Sequence, residues 1–167
     1  MKFLPLVLLA CSALALGADN STPLLEAAYQ GDATRVAELI RGGANVNEAN
    51  IFGATPIAQA ALRGDAEVLK LLLKAGADPE SANAEGETAL MIVARTGNVD
   101  AAKLLVSAGA KVDAREKWGG QTALIWAAAQ NQPEMIRFLV SKGATVDARS
   151  MVRDWPRRMT AEERPRT

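Results

Sequence analysis

The chain contains no histidine, a single cysteine and few aromatic residues, which make up 4% of its 167 residues. Without histidine it cannot build a histidine general acid or base, a Ser-His-Asp or Cys-His nucleophilic site, or a histidine-ligated metal site. The cysteine, Cys11, lies in a stretch that is expected to be removed or modified, and a cysteine-free mature chain is compatible with an oxidising compartment. Because aromatic residues are scarce, each exposed one is informative.

The acidic and glycine-rich segments offer no other catalytic chemistry. Glu85 and Glu87 fall on a predicted turn, and the pair Glu162-Glu163 lies near the end of the chain. Paired carboxylates need shielding from water for acid–base work, and a turn tip gives little. Gly119-Gly120 lacks the Lys-Ser/Thr of a phosphate-binding loop, and the acidic residues lack calcium-loop spacing. The sequence predicts no catalytic residue, cofactor or metal site, so the chain is interpreted as not an enzyme.

Charge is balanced overall but not along the chain. Residues 18–148 carry 12 basic and 16 acidic side chains, a net charge of −4, whereas residues 149–167 carry six basic and three acidic, a net charge of +3. Neither value is large enough to indicate a nucleic acid or a membrane surface as partner. The Arg-rich tail, residues 150–167, is interpreted as irregular and solvated, with contact to phosphate or an acidic protein as the alternative.

The first 17 residues are typical of a signal peptide. Lys2 supplies the positive start, an apolar run follows, and Ala15-Leu16-Gly17 offers a cleavage site before Ala18. The apolar run is too short to span a membrane, and the alternative is an apolar N-terminal cap helix. Leu8-Leu9-Ala10-Cys11 also resembles a bacterial lipoprotein box, in which Cys11 would carry a lipid anchor. The predicted location is therefore the periplasm or the cell exterior, or an anchored position in the envelope.

Three landmarks recur with a period of 33 residues. The first is a threonine at Thr22, Thr55, Thr88 and Thr122, with spacings of 33, 33 and 34. Gly-Ala pairs keep the same spacings from Gly43-Ala44 to Gly143-Ala144. Short polar turns, such as Gly31-Asp32 and Gly64-Asp65, also keep phase. Each period contains two short apolar-faced segments of helical spacing, so it predicts a helix–turn–helix unit.

A 33-residue period with a Thr-Pro-Leu-type start and a Leu-Leu-x-x-Gly-Ala finish resembles the ankyrin repeat, over roughly residues 20–149. The resemblance implies an all-α solenoid of four helix–turn–helix repeats joined by short β-hairpin-like turns. The family's usual histidine is replaced by Leu25, Ala58, Met91 and Ile125. Its hydrogen bonds are therefore lost, and each repeat must depend more on apolar packing for its stability. The predicted repeats cover residues 20–49, 50–82, 83–115 and 116–149.

The second repeat shows the expected helix signals. Thr55 is predicted to cap its first helix, and Pro56 suits the first helical position. Gly64 is expected to end that helix, and Asp65 to cap the next. Each helix is too short to persist alone, so the repeats must stack.

The fourth repeat departs from the period by one residue. The extra residue falls in the loop 117–121, where two glycines allow it to stay within the turn. Trp126 follows in the first helix, where ankyrin repeats usually bury an apolar side chain, and it is predicted to lie in the core rather than to form a ligand platform. The region also resembles certain bacterial ankyrin proteins in which a further repeat follows the Arg-rich insertion, which predicts a truncated member with an apolar, sticky end.

The resemblance implies a non-catalytic module that binds a protein partner through turn tips and the exposed side of each first helix. Phe52 and Trp118 each precede a turn glycine, where they either anchor a partner or fold back onto their own turn. The alternative is an accessory subunit that assembles or protects an envelope enzyme through its C-terminal end. The predicted partner-binding residues are Tyr29, Phe52, Arg63, Glu85, Glu87, Arg95, Lys117, Trp118, Gln121 and Gln130.

Overall fold

The computed structural model describes residues 22–150. The predicted signal peptide, the Cys11 anchor and the Arg-rich tail therefore fall outside the described residues, except for Ser150. The described part contains eight helices and no strand. They are α1 Pro23–Gln30, α2 Ala33–Arg41, α3 Pro56–Arg63, α4 Ala66–Lys74, α5 Ala89–Thr96, α6 Val99–Ser107, α7 Ala123–Ala129 and α8 Pro133–Ser141. The prediction of an all-α solenoid is confirmed.

The helices form two layers. The first helices of the repeats pack in the order α1, α3, α5, α7, and the second helices pack in the order α2, α4, α6, α8. Each first helix also packs on the second helix of its own repeat. Since none of the eight described helices exceeds nine residues, their helical structure depends on this stacking rather than on the individual segments.

The core repeats with the same period as the sequence. In the second helices, Leu72, Leu105 and Leu139 occupy equivalent positions and are completely buried. Leu39, their counterpart in the first repeat, is only partly buried, because no further helix covers the outer side of α2 in the described chain. The first helices contribute a matching row of apolar side chains, each at most 8% exposed: Leu24, Ile57, Leu90 and Leu124.

The turns between repeats are small hairpins. The second turn (residues 50–54) and the third turn (residues 83–87) are numbered by the repeat that they open. Asn50 and Asn83 close them, with backbone N–H groups that donate to Ala54 O and Glu87 O. Their side-chain oxygens accept turn N–H groups at 2.8 to 3.0 Å, from Phe52 and Ala54 in one turn and from Glu87 in the other. In the fourth turn (residues 116–121) the Glu116 N–H donates to Gln121 O. This closure spans one residue more than the others, so the insertion stays within the turn, as predicted.

In the second repeat the junction between the two helices is as predicted, but the cap of the first helix is not. Gly64 ends α3 with a φ of +68°, and the Asp65 carboxylate accepts from Glu67 N and Val68 N at the start of α4. The prediction that the Thr55 side chain caps α3 is wrong. Its hydroxyl instead lies 3.2 Å from the hydroxyl of Ser81, near the end of the same repeat.

Asn98 links repeats two and three while it caps a helix. Its Oδ1 accepts from Ala101 N at 2.9 Å, and its Nδ2 donates to the carbonyl of Gly64 at 2.8 Å. We expect Asn98→Ala to lower the free energy of unfolding by about 1–2 kcal/mol, because it removes both bonds. Asn98→Asp keeps the cap and loses only the donor, so it should cost less. Urea unfolding followed by circular dichroism measures both, and equal losses would contradict the link between repeats.

A second ladder joins the loops that follow the second helices. Asn47, Glu80 and Asp113 are 33 residues apart, and each accepts a backbone N–H from the next repeat, at 2.8 to 2.9 Å. Asp113 also accepts from the Thr145 hydroxyl at 2.5 Å. The hydroxyl bond, then the backbone bond, hold the pKa of Asp113 below its ordinary value of 3.8, with a smaller contribution from Arg115 and against a small burial effect.

This pKa has a defined consequence for stability. Because it is depressed in the folded chain, the Asp113 contribution is fully present above pH 3.8 and is lost as the pH falls through the folded value. Thr145→Val removes the hydroxyl, so the pKa of Asp113, followed by NMR of its carboxyl carbon, should rise toward 3.8, whereas Thr145→Ser should leave it depressed. An unchanged pKa in the valine variant would refute the assignment.

Candidate functional site

A cleft of about 470 Å³ lies between the third and fourth turns, against the first helices α5 and α7. We call it the two-tryptophan cleft, because Trp118 on the turn and Trp126 on α7 both line it. The third turn adds two carboxylates and α5 adds an arginine. The full lining is Glu85, Glu87, Arg95, Glu116, Trp118, Gly119, Gln121 and Trp126.

Arg95 is held on one side of the cleft by a carboxylate and an indole. Its Nη1 lies 3.3 Å from Glu87 Oε1, and its guanidinium carbon lies 5.5 Å from the centre of the Trp126 ring. Asn83 orients Glu87, because it accepts from the Glu87 N–H at 2.8 Å and donates to Glu87 Oε2 at 3.3 Å. The arrangement combines an ion pair with a cation–π contact, so the cleft already accommodates one guanidinium group.

Two polar atoms of this arrangement are buried and accept or donate no hydrogen bond among the described residues. They are Glu87 Oε1, which nevertheless forms the ion pair with Arg95, and Trp126 Nε1. The prediction that Trp126 lies in the core holds only in part. Its ring is partly buried and packs against the apolar core, but it also forms a wall of the cleft.

Glu116 organises the turn that carries Trp118. Its Oε1 accepts from Gly119 N at 2.6 Å and Gln121 N at 2.9 Å, and its Oε2 accepts from Trp118 N at 2.5 Å. Glu116 is 33 residues after Asn83, so a carboxylate here replaces the amide that closes the two preceding turns. A carboxylate offers two acceptor oxygens to the three donors of this longer turn.

Neighbouring side chains brace the same turn. Lys117 N donates to Glu85 O at 2.8 Å, and Lys117 Nζ donates to Ala84 O at 3.1 Å, so the fourth turn is tied to the third. Arg115 Nη1 donates to Gly120 O at 2.7 Å and to Arg149 O at 3.0 Å. The Trp118 side chain, which is 59% exposed, is therefore displayed on a turn held from both sides.

The structure brings half of the predicted residues together. Glu85, Glu87, Arg95, Trp118 and Gln121 share the cleft, and Lys117 braces it from the adjacent backbone. Tyr29, Phe52, Arg63 and Gln130 are exposed but do not line it. Phe52 is 62% exposed and Tyr29 52% exposed. The prediction that Phe52 and Trp118 are exposed is confirmed, and neither ring is folded away from solvent.

Phe52 and Trp118 are not equivalent, contrary to what their glycine neighbours indicate in the sequence. Gly53 and Gly86 have φ values of +74° and +83°, and in the fourth turn the glycine with a positive φ is Gly120, at +63°. Trp118 therefore stands two residues before that glycine, whereas Phe52 stands one before its own. The inserted residue thus changes the position of the aromatic residue relative to the left-handed glycine of its turn.

A second candidate surface lies at the end of the stack. Helix α7 and the loop after α8 form a shallow depression of about 370 Å³, which we call the end face. Val146, which lines it, is 73% exposed. The remaining lining residues are Leu124, Ile125, Ala128, Ala129, Thr145 and Ala148. Apart from Thr145 the lining is apolar.

Neither a metal-binding cluster nor a membrane-spanning helix is found among residues 22–150. That part of the chain holds no group of three or more histidine, cysteine, aspartate or glutamate residues able to hold a metal ion. None of the helices described has the length and apolar character needed to cross a membrane.

Comparison with known families agrees with the repeat architecture. The family model described as ankyrin repeats (3 copies) matches residues 6–83 and 59–150, and the first match begins within the predicted signal peptide. No curated protein matches the chain. The helix pairs, the hairpin turns and these matches agree, and the chain belongs to the ankyrin repeat family, whose members generally mediate protein–protein interactions and are typically not catalysts.

Proposed function

We propose that the protein is a non-catalytic binding module that holds a partner protein against its turn tips and the adjoining concave face of its first helices. The observation that carries this proposal is the two-tryptophan cleft, together with the exposed rings of Phe52 and Tyr29 on the same row of turns and helix ends. Exposed aromatic residues beside charged groups are the usual anchors of protein interfaces. The braced fourth turn adds to this, since a pre-organised anchor loses little entropy on binding.

The proposal includes export from the cytoplasm. It is supported by the positive start, apolar run and small-residue cleavage pattern of residues 1–17, which favour a bacterial periplasmic or secreted protein. A lipid anchor at Cys11 is the alternative route to the envelope. Mass spectrometry of the protein recovered from its native cell distinguishes a chain that begins at Ala18 from one that begins at a lipidated Cys11, and an uncleaved cytoplasmic chain would contradict both.

The binding face is tested by a crosslinked pull-down from envelope extract. The tip variant Phe52→Ser/Trp118→Ser removes two exposed rings that the core does not use, so the fold should persist. We expect it to lose the partner that the unaltered protein captures. The matched control is Val140→Ser, which removes an exposed apolar side chain from a second helix and should leave capture unchanged. A partner retained by the tip variant would contradict the proposed face.

A second candidate function places the interface at the end face, as an accessory subunit that assembles or protects an envelope enzyme. The specific observation in its favour is the exposed apolar lining around Val146. An end variant, Ala128→Glu/Val146→Glu, introduces charge there without touching the cleft. Loss of the partner in the end variant, with retention in the tip variant, would favour this second function. Loss only in the tip variant would exclude it for that partner.

A further inference from the structure

The two-tryptophan cleft has a charge that selects its ligand. Among its lining residues are three carboxylates, Glu85, Glu87 and Glu116, and one cation, Arg95. Glu87 is paired with Arg95, and Glu116 accepts the N–H groups of its own turn. The Glu85 carboxylate makes no ion pair or hydrogen bond with any other residue in the range 22–150. An aromatic cleft with an excess of negative charge favours a cation.

The cleft also indicates which cation. Arg95 shows how a guanidinium group is held here, with its central carbon over an indole ring and an Nη atom beside a carboxylate. Glu85 and Trp118 provide a second carboxylate and a second indole in the same cleft. A guanidinium group is planar, forked and weakly hydrated, so it uses such a pair better than a strongly hydrated ammonium group does.

From these observations we propose that the cleft binds an arginine side chain of the partner protein, between the Trp118 ring and the Glu85 carboxylate. This inference rests on the proposed function and names the chemistry of the partner, which is an exposed segment that carries arginine. The volume of about 470 Å³ accommodates one such side chain. Because Trp118 is displayed on a braced turn, the arginine meets a ring that is already in place.

The test uses N-acetyl-arginine amide as the probe and the neutral isostere N-acetyl-citrulline amide as its matched control. Two-dimensional ¹H–¹⁵N NMR of the labelled protein reports the indole Nε1–H signals of the tryptophans separately. We expect the arginine probe to shift the Trp118 signal in a saturable manner and the citrulline compound to shift it far less. Equal shifts with the two compounds, or no shift at Trp118, would overturn the proposal.

Two charge variants locate the interaction. Glu85→Gln should weaken probe binding by about twofold to fivefold, the effect of an exposed ion pair. Glu48→Gln makes the same chemical change on an exposed loop residue that does not line the cleft, and it should leave the affinity unchanged. Equal effects of the two variants would show general attraction between the probe and an acidic protein, and would overturn the assignment to the cleft.

The arginine-rich tail is the competing occupant, because Arg115 ties the backbone of Arg149 to the fourth turn at Gly120. The control is the full chain with the five tail arginines changed to glutamine, namely Arg153, Arg157, Arg158, Arg164 and Arg166. Similar probe affinity in this variant and in the unaltered protein supports a site open to a partner. Binding only in the neutralised variant would assign the cleft to the chain's own tail and overturn the proposal.

The inference and the proposed function fail in different ways. If the tip variant loses its partner in the pull-down but the arginine probe does not bind, the binding face stands and the arginine assignment falls. If the probe binds the cleft while the tip variant keeps its partner, the cleft has the stated chemistry but the partner uses another surface. In that second case the proposal that the arginine belongs to this partner is also overturned.

Discussion

Leu72→Ala is expected to lower the free energy of unfolding by about 2–5 kcal/mol, the range for a buried leucine cut back to alanine. Leu72 is completely buried in α4. This helix packs between α2 and α6, so it is not at an end of the stack, where the structure could relax to fill the cavity. Because each repeat is stabilised mainly by its neighbours, a defect in the second repeat weakens its contacts on both sides. Chemical denaturation followed by circular dichroism measures the loss.

The period provides a matched control for this prediction. Leu39→Ala makes the same substitution at the equivalent position of the first repeat, where the side chain is only partly buried. We expect a distinctly smaller loss, because less apolar surface and a smaller cavity are involved. Equal losses for Leu39 and Leu72 would contradict the description of repeat one as the less covered end of the core.

Glu116→Ala is the second large effect, with an expected loss of about 2–3 kcal/mol. It removes a charged acceptor from three backbone N–H groups in a residue that is only 9% exposed. The fourth turn should then open, and the Trp118 wall of the cleft should lose its fixed position. Denaturation measures the stability, and hydrogen exchange of the amides at 118–121 measures the turn directly.

Glu116→Gln sharpens the interpretation. One amide oxygen can replace Oε1 and keep the bonds to Gly119 and Gln121, whereas the amide nitrogen cannot accept from Trp118 N. The glutamine variant should therefore lose about half as much stability as the alanine variant. Equal losses of stability in the alanine and glutamine variants would show that the geometry of the acceptor atoms alone does not hold the turn. No loss in the alanine variant would show that the carboxylate does not organise the turn.

Much of the fold could be predicted because the sequence is periodic. Residues with the same role return every 33 positions, so a threonine start or a Gly-Ala finish in one repeat checks the next. The same 33-residue period makes Glu116 equivalent to Asn50 and Asn83, so it could have identified Glu116 as the residue that closes the fourth turn. The sequence contained the necessary information, because both asparagines and the glutamate carry side-chain oxygens able to accept turn N–H groups.

Other features depend on contacts that a period does not encode. Trp126 occupies a core position by register, yet it borders a cleft, because Trp118 on the longer fourth turn lines the same space and Arg95 packs on its ring. The Thr55 hydroxyl could have capped its helix, but Ser81, 26 residues later at the end of the same repeat, offered a competing partner. Side chains at repeat junctions choose between local and neighbouring partners, and a single repeat cannot reveal that choice.

The measurement that tests the central proposal most directly is hydrogen exchange of the protein with and without its captured partner. Binding at the turn tips predicts added protection at residues 84–87 and 116–121, with little change at residues 144–148 of the end face. The reverse pattern, with protection confined to the end face and none around the two-tryptophan cleft, would contradict the proposed binding face and favour docking through the end of the stack.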